Sequence, residues 1–225
     1  MNLKSNIKKP IAKQTSHKNK KWTLLILGVG VFLLFIFFSF LVHKNLFTGF
    51  DFNMTIRLQD HISRRLDSLF SFISFIGTVE IAGLFLLAVL IIRRKLSGII
   101  VLLFFGVLHL LEIYGKTFVD HLPPPHFLLR SQSIGNFPQF YVQLTNSYPS
   151  GHSARAFFIT ALLAFLVARN KRLSRNQKII LYSCLVVYDL TMVISRVYLG
   201  EHWTSDVIGG SLLGLSLALF TTIFI

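Results

Sequence analysis

The sequence predicts an all-α protein, a bundle of six membrane-crossing helices with a polar site at the outer membrane face. Three observations carry that expectation. Apolar residues make up 53% of the chain and charged residues only 14%, with 23 Phe among 225 positions. That is the composition of a membrane chain, in which each span needs about 20 mostly apolar residues. The apolar positions gather in long runs divided by short polar stretches, and the charge is sorted among those stretches by sign.

Taken in order, residues 1–21 carry seven Lys and no acid, with Pro10 and scattered Ser, Asn and Gln, and read as a basic, solvated cytoplasmic tail. The six-helix membrane domain is expected over 22–225. Its first run, Trp22 to Val42, exceeds a signal-peptide core and lacks a small-residue cleavage site after it, so it reads as a retained span. Residues 43–78 mix Phe50, Phe52 and Phe70 with Asp51, Arg57, Asp60, Arg64 and Arg65, which suits an amphipathic helix at the interface. Five further runs follow, at about 79–92 (with Phe75 and Ile76 as a possible extension), 98–115, 153–167, 179–194 and 205–225.

Charge sets the orientation. With a cytoplasmic N-terminus, the inner segments 1–21, 93–97 and 168–178 hold 15 of the 23 basic residues and none of the nine acids. This is the positive-inside pattern. The net charge of +14 therefore marks topology and contact with anionic lipid rather than nucleic acid. Both termini are then cytoplasmic, and a bacterial plasma membrane fits the small build. Cys184, the single cysteine, lies inside an apolar run, which leaves neither a disulfide framework nor a thiolate metal cluster.

The same topology brings three polar stretches to one face. In the first, Lys116 follows Glu112 by one helical turn. It can be an i, i+4 pair with that acid or a point charge for phosphate. In the second, Pro149-Ser150-Gly151-His152 opens a helix. It can be a mere turn and cap, or an anion site where helix amides bind and His152 protonates a departing oxygen. In the third, Ser195-Arg196 precedes His202 and Asp206, which share a helix face at i, i+4. A carboxylate on one imidazole nitrogen fixes the tautomer and leaves the other as a nucleophile or base. The planar fork of Arg196 suits phosphate oxygens, and Ser195 adds a donor.

Together these stretches resemble the type 2 phosphatidic acid phosphatase family. Pro-Ser-Gly-His at 149–152 and Ser195-Arg196…His202…Asp206 match its pattern in full, over a resemblance reaching from about Phe50 to the C-terminus. The first motif departs: Lys116 and Pro124 are kept, but Pro123 stands where the family has Arg. The resemblance implies a membrane lipid phosphatase, with no cofactor and no metal, working through a phosphohistidine. In it His202 is the nucleophile, Asp206 its orienter and His152 the acid, while Lys116, Arg196, Ser150 and the Gly151 amide hold phosphoryl oxygens. Either Arg155, one turn after His152, or Arg130 in the outer loop is expected to replace the absent arginine. The substrate classes implied are phosphatidic acid, phosphatidylglycerol phosphate and undecaprenyl pyrophosphate. A lipid-phosphate transferase and an inactive lipid-phosphate binder remain open. Asp189, two turns before Arg196, is expected to position it, and Gly210-x-x-x-Gly214 to pack helices within the bundle.

Overall fold

The computed structural model describes residues 8–93, 97–132 and 145–225, and among them every regular element is helical. The helices are α1 (Lys8–His43), α2 (Thr48–His61), α3 (Asp67–Ile76), α4 (Val79–Arg93), α5 (Ser97–Phe118), α6 (Gly151–Arg169), α7 (Arg175–Tyr198) and α8 (Thr204–Thr222), with short 3₁₀ turns at Arg64–Leu66 and His126–Leu128. Five are long and apolar enough to cross a membrane: Lys21–His43, Gly98–Phe118, Gly151–Arg169, Arg175–Tyr198 and Thr204–Thr222. Arg64–Ile76 and Val79–Val89 meet at a 50° bend and, taken together as one broken span, supply the sixth crossing. The bend falls at Gly77-Thr78, so the stretch read as interfacial divides in two. Its second part is half of a span. Helix α1 begins at Lys8, inside the stretch read as a solvated tail.

Helix α2 explains how the remaining interfacial segment sits. Its buried residues are Asp51, Thr55 and Gln59, a polar stripe at i, i+4, i+8, while Phe50 and Phe52 are exposed. In water that pattern would be inside out. Beside a bundle in lipid it lets the aromatic face meet acyl chains and turns the polar face onto the site. Gln59 Nε2 donates to the carbonyls of Leu128 (2.7 Å) and Tyr198 (2.9 Å), pinning α2 to the loop after α5 and to the end of α7.

Helix α8 is the central post. Of its apolar window 61% is buried, against 11% for α7, whose Val186, Val187 and Leu190 face outward. It packs between α1 and α6, and small residues let it do so. A Cβ on Gly210 would run into the Ser150 carbonyl, and one on Gly214 into the Ala154 carbonyl. The G-x-x-x-G stretch therefore serves close packing of α8 on α6 inside the bundle. Since the contact is with backbone, Gly214→Ala is expected to cost about 1–3 kcal/mol as overpacking. A lowered melting temperature in detergent would register it.

Candidate active site

The third motif is built by the turn between α7 and α8. Gly200 adopts φ 69°, and a Cβ there would strike the Leu128 carbonyl, so the turn requires glycine. The amides of Glu201 and His202 both donate to the Arg196 carbonyl (3.2 Å each), folding the chain back over the end of α7. Asp206 then lies in the first turn of α8, fully buried. Its Oδ2 accepts from the Trp203 amide (2.9 Å) and faces His202 Nδ1 at 3.3 Å. A carboxylate bound at a helix N-terminus gains from the amides there, which offsets part of its burial. The shared face read from the spacing is thus formed. Burial pushes the His202 imidazole below its ordinary pKa, with the charges of Arg196 and Lys116 acting in the same direction against the Asp206 hydrogen bond. A neutral imidazole with Nδ1 turned to Asp206 leaves Nε2 as its lone-pair nitrogen.

The second motif is tied directly to the third. The Ser150 amide donates to the Asp206 carbonyl (2.9 Å), and α6 begins at Gly151. Ser150 occupies the N-cap position with no side-chain capping bond; its Oγ instead accepts from Ser153 Oγ at 3.3 Å. His152 feels the charges of Arg196, Arg155, His202 and Lys116, and the Gly151 turn touches Glu112, the partner of Lys116, so the three motifs adjoin. The α3–α4 bend closes over it, as a Cβ on Gly77 would come within 3.1 Å of the His152 ring.

Glu112 organises the cations. Its Oε1 accepts from Lys116 Nζ (3.0 Å), and its Oε2 from Arg155 Nη1 (2.8 Å) and His109 Nδ1 (2.9 Å). Arg155 Nε donates to the Gly77 carbonyl at 3.0 Å. The carboxylate also rests against the start of α6, where a Cβ on Gly151 would collide with it. Lys116, Arg155 and the Gly151 turn therefore surround one anion. In apolar surroundings a cation is tolerated when paired, and Glu112 supplies the pair. Lys116 is thus the i, i+4 partner of Glu112, and through that carboxylate it stands beside Arg155 and the Gly151 turn.

Arg196 is buried, with one guanidinium nitrogen paired to Glu201 and another donating to Ser74 Oγ of α3. Three sequence expectations fall elsewhere. Ser195 spends its hydroxyl proton on the Met192 carbonyl (2.7 Å) of its own helix, as serines inside helices do. Arg130 is committed to the fold: Nη1 donates to the Gln59 carbonyl (3.1 Å), its amide to Leu199 (2.8 Å), and its guanidinium lies 5.2 Å from the Tyr198 ring centre. Of the two arginines considered for the position lost at Pro123, Arg155 is the one beside Lys116. Asp189 accepts from Thr160 Oγ1 of α6 (2.8 Å) rather than holding Arg196, whose carboxylate partner is Glu201.

Two residues at the site were missed from sequence. His121 Nδ1 stands 2.8 Å from Asp206 Oδ1, and Asp51 on α2 accepts from the Ser205 amide (2.8 Å) and hydroxyl (2.6 Å). The available signal for His121 was its place in the loop five residues after Lys116. For Asp51 it was an acid set between Phe50 and Phe52.

Paired cations, a helix N-terminus and a carboxylate-backed histidine at the ends of membrane helices define a class: an integral membrane enzyme of the phosphatase type. Residues 83–225 match the PAP2 superfamily, and the chain belongs to it. Phosphatidylglycerophosphatase B of Bacillus subtilis (strain 168) is 30% identical over 200 residues, covering 84% of this chain and 90% of that protein. Dihydrosphingosine 1-phosphate phosphatase YSR3 of Saccharomyces cerevisiae is 35% identical over 66 residues, which are 29% of this chain and 16% of that protein. Among solved structures, a transmembrane PAP2-type phosphatidylglycerolphosphate phosphatase from Bacillus subtilis has the same fold, with a TM-score of 0.70 at 24% identity over 87% of this chain and 94% of that one. LpxE of Aquifex aeolicus shares it at a TM-score of 0.57 and 23% identity, over 77% of this chain and 94% of that one.

Proposed function

We propose that the protein hydrolyses a membrane lipid phosphate in two steps, without a metal, through a phosphohistidine on His202. The observation that carries this reading is the convergence of His202, backed by Asp206, with His152, Lys116, Arg155 and Arg196. In the first step His202 Nε2 attacks phosphorus, the bond to the leaving oxygen breaks, and His152 gives that oxygen a proton. Asp206 Oδ2 steadies the charge that grows on the imidazole. In the second, His152 takes a proton from water, the water oxygen attacks phosphorus, and the P–N bond breaks to release inorganic phosphate and restore His202. Proton transfer of this kind contributes about 10²–10⁴-fold.

Charge on the phosphoryl oxygens needs donors fixed in advance. Lys116 has three N–H donors and Arg155 five, and the bonds to Glu112 and Gly77 take one and two of them. The remainder can hold a phosphate alongside Glu112, together with Arg196, Ser150 and the Gly151 amide. Among the described residues, no three His, Cys, Asp or Glu side chains form a metal-holding group. Activity is accordingly expected to persist in excess EDTA; loss that a divalent metal restores would contradict the metal-free route.

The sorting of basic residues supports a site on the extracytoplasmic face with both termini inside, and the Bacillus relative supports a bacterial plasma membrane. Outward-facing apolar side chains on α5 and α7 allow acyl or prenyl chains to approach from the bilayer. The named relatives favour a lipid phosphomonoester such as phosphatidylglycerol phosphate over a pyrophosphate. The test is phosphate release by purified protein from phosphatidic acid, phosphatidylglycerol phosphate and undecaprenyl pyrophosphate. Release from at least one is expected. Binding without release would make the protein a lipid-phosphate carrier, and transfer to an added alcohol in preference to water would make it a transferase.

A further inference from the structure

We propose that His121 is a positioning residue for the reaction: held between the carboxylates of Asp51 and Asp206, it shares the charge of Asp206 with His202 and so sets the orientation and basicity of the nucleophile. The inference rests on the hydrolytic reading of the site given above. It extends that reading to a residue outside the three motifs.

The geometry is a buried file of alternating acids and imidazoles. Asp51 is held on α2 and fixed by the amide and hydroxyl of Ser205, in the first turn of α8. His121 Nε2 lies 3.7 Å from Asp51 Oδ2, and its Nδ1 lies 2.8 Å from Asp206 Oδ1. The other oxygen of Asp206 faces His202 at 3.3 Å. Asp51, His121, His202 and Asp206 are all buried. His121 is anchored through its backbone as well. Its amide donates to Asn146 Oδ1 (3.1 Å), and its carbonyl accepts from the Ser147 amide (2.9 Å) and hydroxyl (3.1 Å) just ahead of the Pro-Ser-Gly-His turn. These bonds hold the backbone from which the ring reaches Asp206 and tie it to the chain that opens α6.

Charge follows from the neighbours. The groups facing His121 are Asp51 from α2 and Asp206 from α8; Tyr148 lies near Asp206, and the exposed His43–Asp120 pair flanks it along the chain. Burial opposes a charge on His121, but the hydrogen bond to Asp206 and the two carboxylates outweigh it, and its pKa stands above the ordinary histidine value. An imidazolium there donates from Nδ1 to Asp206 and sets its Nε2–H 3.7 Å from Asp51, an ion-pair distance. Asp206 then divides its acceptance between His121 and His202 rather than giving its full charge to His202. The nucleophile stays oriented, yet stays neutral further into the acid range than an Asp–His pair alone would allow.

The sign of the test is fixed by this sharing. Removing a positive charge next to Asp206 strengthens its pull on the His202 proton and raises the His202 pKa. The acid limb of the kcat/KM profile, which reports the free enzyme's essential base, should therefore move to higher pH. The experiment is phosphate release from phosphatidylglycerol phosphate and phosphatidic acid across pH 4–9 by the full chain in detergent, comparing wild type, His121→Gln and His121→Ala. Melting temperatures measured alongside verify folding. For His121→Gln, which keeps an amide donor without the charge, the acid limb is expected to shift upward by roughly one pH unit. In the plateau kcat should fall, by about 10–100-fold for His121→Ala and less for His121→Gln, at nearly unchanged KM. A uniform fall at every pH, or no fall in either folded variant, would overturn the positioning role while leaving the hydrolytic reading intact. Wild-type protein that releases no phosphate from these two lipids or from undecaprenyl pyrophosphate would overturn both.

Discussion

Replacing His202 with alanine is expected to lower phosphate release by at least about 10⁴-fold, because it removes the atom that attacks phosphorus. What survives is the cradle, since Lys116, Arg155, Arg196 and the start of α6 do not depend on the imidazole for their hydrogen bonds. Substrate affinity should change little. Asp206 keeps His121 and the Trp203 amide as donors, so its carboxylate is not orphaned and the fold should survive. The measurement is kcat for phosphate release beside a binding assay with the same lipid. Loss of turnover with retained binding is the expected result. Residual turnover within about tenfold of wild type would remove His202 from the nucleophile's place.

Arg155→Ala should have the next largest effect, and on two quantities at once. The Arg155–Glu112 pair is buried, with side chains 5% and 7% exposed, and truncating Arg155 leaves the Glu112 carboxylate with Lys116 and His109 as its only partners among the described residues. A buried charge left with no partner costs about 3–5 kcal/mol, and the two partners that Glu112 keeps should hold the loss below that. If Arg155 also stands in for the arginine absent at Pro123, kcat/KM should fall by about 10²–10³-fold, as for removal of one donor to a developing charge. Stability and catalysis can be separated by replacing both partners. The double variant Glu112→Leu with Arg155→Leu removes both charges of the pair and should recover much of the melting temperature, since well-packed apolar residues often replace buried pairs without loss. It should recover none of the kcat/KM. Recovery of both would make Arg155 a structural cation only.

The bundle was legible because lipid imposes long apolar runs and sorts basic residues, and both are properties of consecutive sequence. The site was legible where spacing itself carries geometry. His202 and Asp206 share a face at i, i+4, and Lys116 and Glu112 pair in the same way. What the chain order conceals are contacts between distant segments. Asp51 meets Ser205 across 154 positions, His121 meets Asp206 across 85, and Arg155 meets Glu112 across 43. No periodicity announces them. The same limit explains Arg130 and Ser195, which stand at suggestive positions but give their donors to Gln59, Leu199 and Met192. Helix α2 was half legible: its Phe residues mark an interface, whereas its polar face is buried because the site beneath it is polar.

The proposed reaction turns on a covalent bond between phosphorus and His202. The direct measurement is acid-free denaturing quench of the enzyme during turnover of a lipid labelled in its phosphate, followed by peptide mapping. Label stable to alkali and labile to acid, carried by the peptide containing His202 and absent from His202→Ala, is the predicted result. Steady release of phosphate by wild-type enzyme with no label on His202 at any quench time, from the first turnover onward, would contradict it.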